Sequence, residues 1–194
     1  MNTTPTREQA LALLDQYITI PGLKKHCLAV EATMRYFARK NGEDEEKWGV
    51  IGMLHDMDYE KFPEAHCFKI AEILQGWPAD YLRAIQSHGW KICTDVEPVS
   101  QLEKTLYAID ELTGLIIATV LVKPSKSVLD VDTASVMKKF KTAGFAAKID
   151  RTVVQQGAEK LGVPLEELVT QTIAALQESA DALGIAGGAA AMPS

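Results

Sequence analysis

Six side chains in this chain of 194 residues are of types that bind borderline divalent metals: His26, His55, Asp56, His66, His88 and Asp110. His55 and Asp56 are neighbours in Leu54-His55-Asp56-Met57-Asp58, at the expected C-terminal end of an apolar helix. Ending a helix there lets the two side chains converge on one ion. The chain has only four histidines, and helical spacing puts each on the inward face or inner end of a helix. Any one of them can be a core residue satisfied by hydrogen bonds. Four imidazoles and two carboxylates in one apolar bundle need a shared partner, and a metal supplies it. A bound divalent ion would activate water and polarise a phosphoryl oxygen, which makes phosphate-ester hydrolysis the natural reaction.

The elements that must position these groups are all helical. Thr6 with Gln9 forms a capping box for a first helix that ends at Pro21-Gly22. The second runs from about Leu23 to Lys40, with His26, Val30, Met34 and Phe37 on one face and Gly42 as C-cap. Asp44 caps a third, whose Trp48, Ile51, Met53 and Leu54 lead into His55 and Asp56. Pro63 is expected to open a helix carrying His66, Ile70, Ile73 and Leu74 as far as Gly76, and Pro78 another with Tyr81, Ala84, Ile85 and His88. Ser100 with Glu103 is the cleanest capping box and starts the longest apolar helix, about Gln101 to Val122, with Asp110 in its middle. Asp132 caps a short helix with Val136, Met137 and Phe140, Asp150 caps one ending at Gly162, and the last spans about Pro164 to Leu183. With little alternating patterning and no Asn-Gly hairpin, the expectation is an all-α, single-domain irregular helical bundle over residues 1–185. Its metal-site core is about 23–125, its C-terminal helices about 126–185, and residues 186–194 (AGGAAAMPS) are read as a disordered tail.

Composition narrows the function. Apolar residues make up 47% and the formal charge is −6, which favours a soluble domain over a nucleic-acid polymer or anionic-membrane binder. The N-terminus has no apolar stretch of the secretory kind, and the best membrane candidate, Leu112–Val122, is too short to span. Cys27, Cys67 and Cys93 show no CxxC spacing, so no disulfide framework is expected; Cys27 and Cys67, each directly after a histidine, are read as small core residues facing away from it, and a reducing cytoplasm is expected.

The order His, His-Asp, His, His, Asp on successive helices resembles the HD superfamily of metal-dependent phosphohydrolases. The segment HDMDYEKFPEAHCFKIAEIL resembles that family's His-Asp motif followed by its next histidine, and the likeness covers about residues 23–125. The resemblance implies that His26, His55, Asp56 and Asp110 hold a first ion. His66 and His88 would complete a second site, with Asp56 bridging. The implied cofactor is one or two divalent transition-metal ions (Fe, Mn, Ni, Co or Zn), and the implied substrate is a nucleotide or other small phosphorylated molecule. Some features depart from the family pattern. Met57-Asp58 stands where Ile-Gly is common, Gly89 follows His88 where many relatives have a second histidine, no GYP signature is present, and His66 follows Asp56 by only ten residues.

Asp58 and Glu60 are candidates for orienting the attacking water or protonating a leaving group. Helix capping is the competing role for both. The turn Lys123-Pro124-Ser125-Lys126-Ser127, about four helical turns beyond Asp110, offers Lys123, Ser125, Lys126 and Ser127 as phosphate donors, with Lys61 as a further candidate. A plain C-cap with dipole-matched lysines explains that turn equally well. Two alternatives to hydrolysis stay open: a diiron oxygenase of the kind that resembles myo-inositol oxygenase, with the same ligand order, and a binding module that retains metal without turnover.

Overall fold

Ser100 and Glu103 begin the helix on which the rest of the molecule is built. In the computed structural model, which describes residues 5–142 and 144–187, the helices in chain order are α1 (Arg7–Tyr17), α2 (Pro21–Asn41), α3 (Glu45–Leu54), α4 (Ile70–Ile73), α5 (Ala79–Ser87), α6 (Gln101–Val122), α7 (Thr133–Phe140), α8 (Arg151–Leu161) and α9 (Leu165–Glu178). Among the described residues there is no strand, only two isolated bridges, Trp90–Thr94 and Ser127–Ala186. The fold is all-α.

The Ser100 side chain accepts from the Glu103 backbone NH, and Glu103 reaches back to the Ser100 NH, which satisfies two donors that a helix start leaves open. Glu103 is buried, and its carboxyl is held below the usual range: burial opposes ionisation, but the Ser100 and Val99 NH groups and the Arg83 guanidinium outweigh it. By length and composition α6 is long and apolar enough to cross a membrane, contrary to the expectation of too short a run. Here α2, α5, α7, α8 and α9 pack around it, so its apolar surface is core. Gly157 lets α8 lie against α6, since a Cβ there would overlap Ala108. The α2–α3 pair, turned by left-handed Gly42, supplies the other half of the core with Met34, Trp48, Ile51 and Leu54.

Four expectations need correction. The helix predicted from Pro63 to Gly76 is instead a 3-10 turn at Pro63–Ala65, a run of turns, and a single α turn at α4. His66 is extended (φ −54°, ψ 142°) and Cys67 is left-handed (φ +68°), a pairing no α-helix accommodates. The cause is tertiary, because Cys67 is bonded to Cys93 with the Cα atoms 6.5 Å apart, so the two are not free core thiols. Cys27 alone is unpaired, and burial pushes its thiol up to about 12. At the other end, α9 stops at Glu178 rather than Leu183, and the chain turns back so that Val128 N donates to Ile185 O and Ser127 Oγ to Ala186 O. Ala186 and Gly187 are therefore placed; the rest of the expected tail, 188–194, lies outside the described residues. Finally, α1 ends at Tyr17 and α2 already begins at Pro21.

Candidate metal centre

Helix ends explain why histidine works at two of the six positions. The last carbonyls of an α-helix have no partner within it. His55 caps α3 with Nδ1 2.8 Å from Gly52 O, and His88 caps α5 with Nδ1 2.5 Å from Ile85 O. A carbonyl only accepts, so Nδ1 carries the proton and Nε2 turns outward as a lone-pair donor. His66 has no helix to hold it, and Asp58 performs that service: Oδ1 accepts from His66 Nδ1 at 2.7 Å and Oδ2 from Ile70 N at 3.1 Å. Three rings are thus fixed by Nδ1 with Nε2 free to bind.

These atoms converge on Asp56, whose two oxygens face different partners. Oδ2 lies 3.5 Å from His55 Nε2 and 3.8 Å from His26 Nε2, and Oδ1 lies 3.4 Å from His66 Nε2 and 3.5 Å from His88 Nε2. Asp110, projecting from mid-α6, closes the first group with Oδ1 2.9 Å from His26 Nε2 and 3.2 Å from His55 Nε2. Ligand atoms of His26, His55 and Asp56 lie within 4.8 Å of one another, as do those of Asp56, His66 and His88. All six side chains that the sequence singles out as ligands are therefore brought together, in two groups sharing one carboxylate.

The donor set fits a metal on a structural observation as well. His55 Nε2 is fully buried with no hydrogen-bond partner, because the nearby carboxylate oxygens are close but out of line. A buried nitrogen of that kind is costly unless an ion meets it. Protein alone balances the charge by protonation: burial opposes a charged His55, yet Asp56 and Asp110 outweigh it and hold its proton affinity well above the ordinary imidazole range. Burial likewise opposes ionised Asp56 and Asp110, and His55 chiefly keeps both well below the usual carboxylate range. A divalent cation would replace that proton.

The remaining candidates lie elsewhere or act otherwise. Asp58 is fully buried with both oxygens engaged, so it orients His66 and does not face substrate. Glu60 accepts from Thr19 N, Thr19 Oγ and Ile20 N, securing the start of α2. Lys61 donates to Gln16 O and lies over the Tyr17 ring. Lys123 donates to Asp130 O, Ser125 Oγ accepts from Ser127 N, and Ser127 binds Ala186 O, so this turn braces the C-terminal segment. Lys126 is exposed and left-handed (φ +48°). At 1.5 Å per residue the turn starts about 20 Å along α6 from Asp110.

Two neighbours of the centre escape sequence reasoning. Glu111 is half-buried, and burial, with the Asp110 charge next, pushes its carboxyl up to about 7. Its adjacency to Asp110 was the available signal. Tyr59, half exposed, packs against the His66 ring in a T-shaped pair with the centroids 5.1 Å apart; nothing in its spacing marks it.

The family model described as HD domain matches residues 23–115, which contain all six clustered side chains. HD domains bind divalent metals and are commonly metal-dependent hydrolases. No curated protein and no solved structure matches the chain.

Proposed function

From the match of residues 23–115 to the HD-domain model, we propose that the chain is an HD-family metal-dependent phosphohydrolase acting on a nucleotide or other small phosphoester. The observation that carries this reading is the division of Asp56, with Oδ2 toward His26 and His55 and Oδ1 toward His66 and His88. In this reading His26, His55, Asp56 and Asp110 hold one ion, and Asp56, His66 and His88 hold another. Ions so placed supply a nucleophilic water at neutral pH and Lewis-acid stabilisation of phosphoryl oxygens.

The chain's own residues do the rest. Gly52 O, Ile85 O and Asp58 keep three imidazoles in the tautomer that presents Nε2. Asp58 also fixes the orientation of the His66 ring through the bond to Nδ1, the usual service of a carboxylate behind a ligating histidine. Tyr59, half exposed against the His66 ring, is in this reading the apolar surface for the organic part of a phosphoester.

Phosphate release from a panel of nucleotides and phosphomonoesters, with Mn, Fe, Co, Ni or Mg added, tests the reading. Turnover of at least one substrate, abolished by chelation and by Asp56→Ala, is expected. Oxygen consumption by an iron-loaded protein that releases no phosphate would replace hydrolase with oxygenase, and bound metal with neither activity would leave a binding module.

A further inference from the structure

Building on that metal-site reading, we propose that the Cys67–Cys93 disulfide is a redox lock on the half of the centre held by His66 and His88. Closed, it fixes the two ligand-bearing segments to each other; opened by thiol exchange at Cys93, it releases the second ion.

The bond joins the segments that matter. Cys67 directly follows His66, Cys93 comes five residues after His88, and Cys67 Sγ lies 4.0 Å from His88 Nε2. Between them is Gly89: a Cβ there would collide with both sulfurs, so the pair rests on the backbone next to His88. Reduction moves the sulfurs from bonding to non-bonded separation, and with Gly89 and His88 closing the buried side they part by displacing the Cys67 segment or by moving Cys93 toward the surface. Cys67 is also left-handed at φ +68°, a conformation costly for a residue with a Cβ, and the cross-link restrains it there. Once freed, it can relax and carry His66 away from Asp56. His26, His55 and Asp110 have no such dependence, since α2, α3 and α6 hold them.

Access is one-sided. Cys67 is fully buried, whereas Cys93 is partly exposed and lines a surface cavity of about 420 Å³ with Phe68, Gln86, Lys91 and Ile92. A thiolate of the glutathione class attacks Cys93 Sγ; a mixed disulfide forms there as the Cys67–Cys93 bond breaks, and Cys67 leaves as thiolate and takes a proton from water. A second glutathione releases Cys93 as thiol and departs within oxidised glutathione, so two electrons pass to the protein. Cys27, unpaired and fully buried, takes no part.

The test uses the full chain and Mn(II) alone, an ion with little affinity for thiols. Protein oxidised with oxidised glutathione, and protein reduced with glutathione and desalted without air, are each titrated while bound Mn(II) is counted by electron paramagnetic resonance. Alkylation after denaturation reports the thiols, with one adduct expected when oxidised and three when reduced. The expected result is two Mn(II) per chain when oxidised and one when reduced, with the second dissociation constant weakened at least tenfold. Cys93→Ser should hold one Mn(II) in either condition; if that variant does not fold, the two wild-type titrations decide alone. Equal stoichiometry in both states, or three adducts from oxidised protein, overturns the lock and leaves the hydrolase reading intact. No Mn(II) in either state overturns the metal-site reading and the lock with it.

Discussion

The two halves of the centre share Asp56 but are built by different physics. On one side His26 and Asp110 project from the bodies of α2 and α6, and His55 caps α3; these helices are pinned by core residues such as Met34, Leu54, Leu106 and Ile109. On the other, His88 caps the nine-residue α5, and His66 stands on turns held by Asp58, by the Ile70 NH and by a disulfide. Helix packing fixes the first half as a by-product of folding. The second half depends on a few local bonds, so it can be lost while the fold persists.

The strongest way to break this comparison is to remove what the halves share. Asp56→Ala should abolish retention of both ions and lower kcat/KM at least 10³-fold while circular dichroism stays helical. Metal analysis showing wild-type content in that variant would end the shared-carboxylate picture. Next in size is Asp58→Asn. It should weaken only the second ion, by about 10–100-fold, as the loss of a carboxylate behind a ligating histidine does. If the first ion weakened equally, the halves would not be separable.

Proton linkage gives a smaller effect that sharpens the contrast without metal. His55 has a raised folded pKa, so its contribution to stability is complete below its unfolded value of 6.5 and lost as pH climbs through the higher folded value. Asp56 and Asp110 are lowered, so theirs is present above the unfolded 3.8 and lost as pH falls through the folded values. Metal-free protein should therefore melt highest between about pH 4 and 6.5 and lower on either side, whereas His55→Ala should flatten the alkaline fall. Glu111 works the other way: its carboxyl, raised to about 7, must ionise inside the fold at alkaline pH. Glu111→Gln should raise the melting temperature at pH 8 by several degrees and by much less at pH 5; an equal rise at both would show that packing, not charge, is responsible. Smallest of all is Lys126→Ala. With the 123–127 turn about 20 Å from Asp110 along α6, kcat/KM should stay within about twofold, and a tenfold loss would bring that turn back to the substrate.

Much of the fold was legible before any coordinate. Thr6, Asp44, Ser100, Asp132 and Asp150 cap helices where their spacing to later residues predicts it, and Gly42 and Gly162 stop two helices as expected. Helical phase places His26 and Asp110 inward and helix ends place His55 and His88, and the family likeness over 23–115 contains all six metal-type side chains. The segment from Pro63 to Gly76 was misread because its apolar spacing is helical while its conformation is set by bonds to distant residues, Asp58 and Cys93. Asp58 and Glu60 are acids beside a motif; the chain had no way to say that one is buried behind His66 and that the other ties down Thr19 and Ile20 ahead of α2.

The linear chain determined most of the helices, the inward face of each and which side-chain types can hold a cation. These follow from periodicity and capping, which act over a few residues. Only the tertiary structure decided that the oxygens of Asp56 part toward different histidines, that Asp58 serves His66, and that Cys67 finds Cys93 across a separation of 26 residues. The reason is that such pairings are made between segments joined only through the core, and no local rule fixes how far those segments are from each other.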